Sequence, residues 1–298
     1  FEQGACRLKK VSVIIPTRNR GQLLREAVDS VALQDYPSIE IVIVDDASDE
    51  PVEIQLTENV KNCELVVIRN EQPRGGGYSR HRGALASTGG YVCFLDDDDF
   101  YLPDKLKLLV DFLEKHACFD AVFAPVERTS IGGAKIWRNI PAGEFRPIRS
   151  LDAIPFLHTN GSLVRRAVFD SISFYPELQK FQDTQFHLEL IWLKKVCFYH
   201  TDAVAVWRDR HALPQITDMN SEAMVARSIE NFEKLRKYFA AKQILKGKLR
   251  WFVVTRLLRM YAKNIGLSNV SYPGHLLKWP HYWAYWLFCL AYFRLRRS

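Results

Sequence analysis

The stretch YVCFLDDDDFYLPDKL, residues 91–106, runs from an apolar segment straight into four aspartates and on to a proline. Tyr91 to Leu95 form a short continuous apolar run, the pattern of a strand buried on both faces. The aspartates then mark where that strand leaves the core. Adjacent carboxylates raise one another's proton affinity unless a cation or hydrogen-bond donors sit among them. Pro103 suits the first turn of a helix. Beyond it, Leu106, Leu109, Val110 and Leu113 share one helical face.

Working outward, the same alternation recurs. VSVIIP (residues 11–16) is a buried strand ended by proline, and GQLLREAVDSVALQ (21–34) is an amphipathic helix. IEIVIVDDAS (39–48) is a second strand ending in aspartates, and CELVVIRN (63–70) is a third. GGGYSRHRGALAS (75–87) is a glycine-rich turn entering a helix, and FDAVFAPV (119–126) is a fifth strand. Strands alternating with helices predict an α/β fold with a doubly wound, mostly parallel sheet flanked by helices. Such sheets bind ligands beyond the carboxyl ends of their strands. Three strand ends carry polar clusters, PTRN, DDAS and DDDD, and these belong on one rim facing one cleft.

The chain has 298 residues, 48% hydrophobic and 25% charged, which suits a substantial globular core. Its six cysteines are scattered without CxxC spacing, so buried free thiols in a reducing compartment are expected rather than disulfides or a zinc site. No leader-like segment stands at its N-terminus. The net charge of +7 is unevenly spread. Residues 234–298 hold fourteen Lys and Arg and no Asp or Glu. That leaves 27 basic against 34 acidic residues, a net charge of −7, in residues 1–233.

An acidic strand end suits a hard divalent cation, which takes oxygen ligands and shares its remaining positions with substrate phosphates. Arg74 and Arg80, flanking the glycines, are candidate partners for those phosphates. The rim therefore reads as a site for a metal–diphosphate.

Taken together, VSVIIPTRNR, IEIVIVDDAS, YSRHRGALASTGGYVCFLDDDD and FQDTQFHLEL resemble family 2 glycosyltransferases of the GT-A fold, from about Val11 to His211. The bacterial lipopolysaccharide and O-antigen enzymes are the type it looks most like. The resemblance implies transfer of one sugar from a UDP- or dTDP-sugar, with inversion, to an acceptor hydroxyl, aided by Mn²⁺ or Mg²⁺. It places Pro16, Thr17 and Arg18, with Asn19 beside them, around the nucleobase; an aromatic often stands where Arg18 does. It gives Asp46 the pyrimidine N3–H and Asp45 the shaping of its turn. Arg74 or Arg80 would face the diphosphate. Asp98 would bind the metal, with Asp96 as a second candidate; Asp96 or Asp97 would lie nearer the ribose, and Asp99 would support them. Asp183 stands where the family carries its base, preceded by Gln182 where Glu is usual. His158, Thr159 and Asn160 would touch donor sugar or acceptor. Arg208 would grip phosphate, and His211 would complete the metal shell. His81, His187 and His200 read as structural.

The basic tail needs a separate reading. Its longest uncharged run, residues 279–293, has 15 residues, fewer than the roughly 20 needed for a spanning helix. Aromatics beside Lys and Arg suit a helix lying on an anionic membrane. The expected organisation is a catalytic domain over 1–233, with a nucleotide-sugar half (11–125) and an acceptor half (126–233), then a membrane-associating tail over 234–298. A peripheral enzyme on the cytoplasmic face of the inner membrane, acting on a lipid-linked glycan, follows from it. Protein or capsular polysaccharide are alternative acceptors. No nucleic-acid recognition motif accompanies the charge. A nucleotidyltransferase is disfavoured because the first strand ends in PTRN rather than a glycine-rich loop. A non-catalytic cation-dependent binding module is disfavoured because Asp46, Asp98 and Asp183 occur together.

Overall fold

The computed structural model describes residues 9–52, 63–129, 141–208 and 222–265. In chain order its elements are β1 (Val11–Thr17), α1 (Gly21–Ala32), β2 (Ile39–Asp45), β3 (Cys63–Arg69), α2 (Gly76–Ala86), β4 (Tyr91–Phe94), β5 (Phe100–Tyr101) and α3 (Lys105–Lys115). There follow β6 (Ala121–Phe123), β7 (Val126–Arg128), β8 (Phe145–Ile148), β9 (Ser162–Arg165), α4 (Gln182–Leu193), β10 (Val196–Tyr199), β11 (Ala205–Trp207), α5 (Glu222–Ala241) and α6 (Gly247–Ile265). The chain divides into two compact units, residues 1–211 and 212–298. The expected division at 233/234 falls inside α5.

The first unit is built on an eight-stranded sheet in the order β3-β2-β1-β4-β9-β6-β10-β8. Strands β3, β2, β1 and β4 run parallel. Every residue of β1, β2 and β4 is buried, as continuous apolar runs require when both sheet faces are covered. Register carries Thr17, Asp45 and Arg69 to the same level, so the strand ends form one rim. Helix α1 lays Leu24, Ala27, Val28 and Val31 against the core. Helix α2 presses closely on the sheet: a Cβ on Gly83 would lie 2.5 Å from Ile14 Cγ2. Helix α3 buries Leu106, Leu109, Val110, Phe112 and Leu113, the face anticipated beyond Pro103.

The other half of the sheet is mixed. Strand β9 lies antiparallel between β4 and β6, and β8 is an antiparallel edge strand on β10. The anticipated fifth strand is two strands. β6 enters the large sheet, while β7 pairs with β11 in a small sheet of order β5-β11-β7. Two arginines explain why β9 holds its place. Arg165 donates to the carbonyls of Leu113 (2.6 Å) and Phe119 (2.9 Å), capping α3. Arg166 donates to Ala84 O at 2.8 Å near the end of α2. These arginines therefore hold helix ends, and only the start of the 156–166 segment reaches the rim.

One core feature has a measurable consequence. Lys105 is fully buried, its ammonium 3.3 Å from the Tyr101 ring centroid, and Nζ has no hydrogen-bond partner. Burial pushes its pKa down to about 7. The folded pKa thus lies below the unfolded one, the unfolded state holds more protons between them, and stability rises with pH across that window. Lys105→Met is expected to melt above wild type, with a gap wider at pH 6.5 than at pH 9.5. A lower melting point at both pH values would show that the contact with Tyr101 outweighs the cost of burial.

Candidate functional site

The four aspartates leave β4 at the rim and spread into different environments. Asp97 is buried and accepts from Thr17 Oγ1 at 2.7 Å. Arg20 Nη1 reaches Asp97 Oδ1 at 2.9 Å and Asp98 Oδ2 at 2.7 Å. Asp99 has no exposed surface and accepts from Asn160 Nδ2 at 2.5 Å and from the Arg208 amide at 2.7 Å. Arg208 also donates from Nε to the Asp98 carbonyl and from Nη1 to Glu26. Asp96 pairs with the buried guanidinium of Arg80.

Arg80 links two distant parts of the sequence. Its Nη1 lies 3.8 Å from Asp183 Oδ1, its guanidinium carbon sits 5.7 Å from the Phe174 ring centroid, and its Nε is buried without a hydrogen-bond partner. Asp183 stands in the first turn of α4. Its Oδ1 is buried, although the side chain as a whole is 45% exposed.

These placements set the charge states. Burial raises the proton affinity of Asp183, but Arg80, His187 and His158 outweigh it and hold the carboxyl below its ordinary value. Burial pushes Asp96 up to about 6; Arg80 opposes this, while Asp183 and Asp98 add to it. Burial, then Asp96 and Asp98, push Asp99 up to about 9. Arg80 stays charged because Asp96 and Asp183 overcome its own burial.

The neighbouring strand ends are knitted together. Asp45 accepts from Ser48 N at 2.9 Å and from Arg69, which ties the turn after β2 to the end of β3. Asp46 accepts from Asn70 Nδ2 (2.7 Å), Arg74 N (2.8 Å) and Gly75 N (2.7 Å), fixing the glycine loop where α2 begins. Pro16 and Thr17 are buried and Arg18 is exposed. Asn19, at φ 55°, donates from its amide to Ser48 Oγ (2.9 Å) and accepts from Asp49 N (2.8 Å). An open cleft of about 840 Å³ lies here, lined by Asn19, Arg20, Ser48 and Pro51 among others.

On the far side, His158 Nδ1 accepts from Asn160 N at 3.2 Å, and its ring lies 5.4 Å from Trp207. Thr159 and Asn160 are buried, with Thr159 Oγ1 3.4 Å from His187 Nε2. Gln182 donates to Leu178 O at 3.0 Å and packs under the start of α2, where a Cβ on Gly77 would meet its Cγ at 2.7 Å. Arg74 is exposed, its guanidinium 4.5 Å from the Tyr78 ring. His211 lies outside the described residues.

Two contributors, Arg20 and Arg69, are not singled out by the sequence, and a third, His187, reads there as structural. Arg20 and Arg69 are charges just past or at strand ends, which read as solvent-facing. His187 stands four residues after Asp183, hence on the same helical face; that spacing was the available signal.

Among the described residues no cluster of three or more His, Cys, Asp or Glu is arranged to hold a metal. The donor chemistry nevertheless fits a hard cation. Asp96 and Asp98 offer only oxygen, and both stand at the end of β4 on the strand-end rim. Magnesium-type ions are commonly held by one or two carboxylates plus substrate phosphates.

Comparison with known proteins identifies the family and the fold. The model of glycosyl transferase family 2 matches residues 12–173, more than half of the chain. An uncharacterized glycosyltransferase of Haemophilus influenzae is 32% identical over 117 residues, 39% of either chain. The amylovoran biosynthesis glycosyltransferase AmsB of Erwinia amylovora is 32% identical over 107 residues, 35% of this chain and 36% of that one. The matched stretch thus spans well under half of these relatives' length. Among solved structures, S. aureus TarS in complex with UDP-GlcNAc aligns with a TM-score of 0.61 at 21% identity, covering 94% of this chain and 79% of that one. The mannosyltransferase PcManGT of Pyrobaculum calidifontis, in complex with GDP-Man and Mn²⁺, aligns at 0.53 and 18% identity, covering 96% and 87%. These likenesses establish the GT-A architecture, and with the family match over residues 12–173 the chain belongs to glycosyl transferase family 2.

Proposed function

We propose that this chain is an inverting glycosyltransferase. It moves one hexosyl or deoxyhexosyl group from a UDP- or dTDP-sugar to a hydroxyl of a lipid-linked glycan such as lipopolysaccharide core or O-antigen. The observation that carries the reading is Arg80, which holds Asp96 of the acidic strand end and Asp183 of α4 on one guanidinium. A carboxylate of the acidic strand end and a base candidate thereby meet at one guanidinium.

Each residue then has a task. Asp183, held ionised, accepts the proton of the acceptor hydroxyl as that oxygen attacks the anomeric carbon and the nucleoside diphosphate leaves. Asp46 uses three acceptor positions, one on the Asn70 side chain and two on the amides of Arg74 and Gly75; a carboxylate has about four, so one is left for a pyrimidine N3–H. Pro16, Thr17, Arg18 and Asn19 line the base. Arg74, exposed beside the loop, is the better diphosphate contact, since Arg80 is already engaged by two carboxylates. Arg208 completes the anion-binding side. His158 and Asn160 border donor sugar and acceptor. Asp98, with Asp96 second and His211 as a further ligand, would hold Mn²⁺ or Mg²⁺, and such an ion would supply Lewis-acid stabilisation of the leaving diphosphate.

The lipid-linked acceptor and a place on the cytoplasmic face of the inner membrane rest on the basic, acid-free residues 234–298. A second reading, a polysaccharide acceptor, is favoured by relatives named for amylovoran and, in Bacillus subtilis, putative teichuronic acid biosynthesis. Calorimetric titration with UDP, dTDP and GDP, with and without Mn²⁺, tests the donor site. Tighter binding of a pyrimidine diphosphate in the presence of metal is expected. Absence of binding by all three would sink the proposal.

A further inference from the structure

The second unit contains α5 and α6, which pack together across a five-residue connection as a helical hairpin. Phe232, Leu235 and Phe239 on α5, and Leu249, Val253 and Leu257 on α6, are buried. The connection is tightly made: Ile244 and Leu245 amides both donate to Phe239 O, at 3.1 and 3.2 Å, and Gln243 adopts φ 60°. Its tip is therefore a defined surface.

That surface carries one sign of charge. Lys237, Lys242, Lys246 and Lys248 are all exposed around the turn. The nearest acids along α5 pair with other basic residues, and Lys242 Nζ lies 5.0 Å from the Tyr238 ring centroid. Glu230 pairs with Lys234 at 2.9 Å and Glu233 with Arg236 at 2.8 Å, and no acid follows Glu233 in the chain. The first turn of α6 has no acidic residue either. Beside the lysines, Trp251 is 47% exposed on α6.

We infer that the α5–α6 tip is a contact site for an anionic lipid surface, with Lys237, Lys242, Lys246 and Lys248 facing headgroups and Trp251 seated at the interface. This deepens the membrane reading above and rests on it. It narrows the contact from residues 234–298 as a whole to the tip of a folded hairpin. The lysines supply attraction to anionic headgroups. An indole is amphipathic and enriched at membrane–water interfaces, and no nucleic-acid recognition motif accompanies the charge, which favours a lipid surface as the occupant. No helix among the described residues is long and apolar enough to cross a membrane.

The test uses the full chain and vesicles of pure phosphatidylcholine or with one-third phosphatidylglycerol. The variants are Lys242→Gln/Lys246→Gln/Lys248→Gln and Trp251→Ala, all at exposed positions. Wild type should float with anionic vesicles only, and less so in high salt. The triple variant should bind roughly a hundredfold more weakly, near fivefold per lysine, and Trp251→Ala should bind several-fold more weakly. Donor turnover without vesicles should be unchanged in both, which separates failure here from failure of the transferase reading. Unchanged flotation of the triple variant, or equal binding to neutral vesicles, would overturn the inference. So would binding to duplex DNA as tight as to anionic vesicles and indifferent to Trp251→Ala, which would assign the tip to nucleic acid.

Discussion

Asp183→Asn should lower kcat by roughly 10²–10⁴-fold, the usual contribution of a general base, while nucleotide binding stays at its wild-type level. Asn keeps the shape of the side chain and its place in the first turn of α4, but cannot accept the acceptor's proton. The distance to Arg80, 3.8 Å, marks a contact that an amide disturbs little. Calorimetry and steady-state kinetics on the same preparation separate the two effects. A kcat within threefold of wild type would remove Asp183 from the chemistry and leave Arg80 joining two structural carboxylates.

Arg80→Met is expected to be costly twice over. The guanidinium is 8% exposed and faces Asp96, itself 27% exposed, so deletion strands a largely buried carboxylate. Breaking such a pair costs about 3 kcal/mol, and for a unit of this size that lowers the melting temperature by roughly 6–12 °C. Activity falls as well, because Asp183 loses the charge that keeps it ionised and placed. Arg80→Lys should recover part of the stability and little of the activity, since one ammonium does not reproduce a planar fork set between two carboxylates. Full activity in Arg80→Lys would show that the second contact is dispensable.

The parallel half of the sheet was legible because its strands are continuous apolar runs that break into polar clusters at their ends. VSVIIPTRN, IEIVIVDDAS and YVCFLDDDD each show the core and the rim in one line. Strand β9 was not legible. SLVR is four residues long, sits directly after a 3₁₀ turn, and owes its position to Arg165 and Arg166 reaching helix ends distant in sequence. Strand β8, with three of its four residues exposed, has no apolar run to announce it. The same divide runs through the site. The aspartates stood out as a cluster, and Arg80 and Arg208 were named with them; Arg20 and Arg69 were not. Arg20 and Arg69 acquire meaning only once Thr17, Asp45 and Arg69 come level across the sheet. Of the two arginines flanking the glycines, folding distinguished them by burial: Arg80 went inside and Arg74 stayed out.

The central claim is that the acidic end of β4 serves a metal-bound nucleotide sugar. Its most direct test is nucleoside diphosphate release from UDP-, dTDP- and GDP-sugars with Mn²⁺, Mg²⁺ or EDTA, for wild type and Asp98→Ala. Release from one pyrimidine-linked donor, lost with EDTA and lost in Asp98→Ala, is the predicted result. Release that persists undiminished in EDTA or in Asp98→Ala would contradict it.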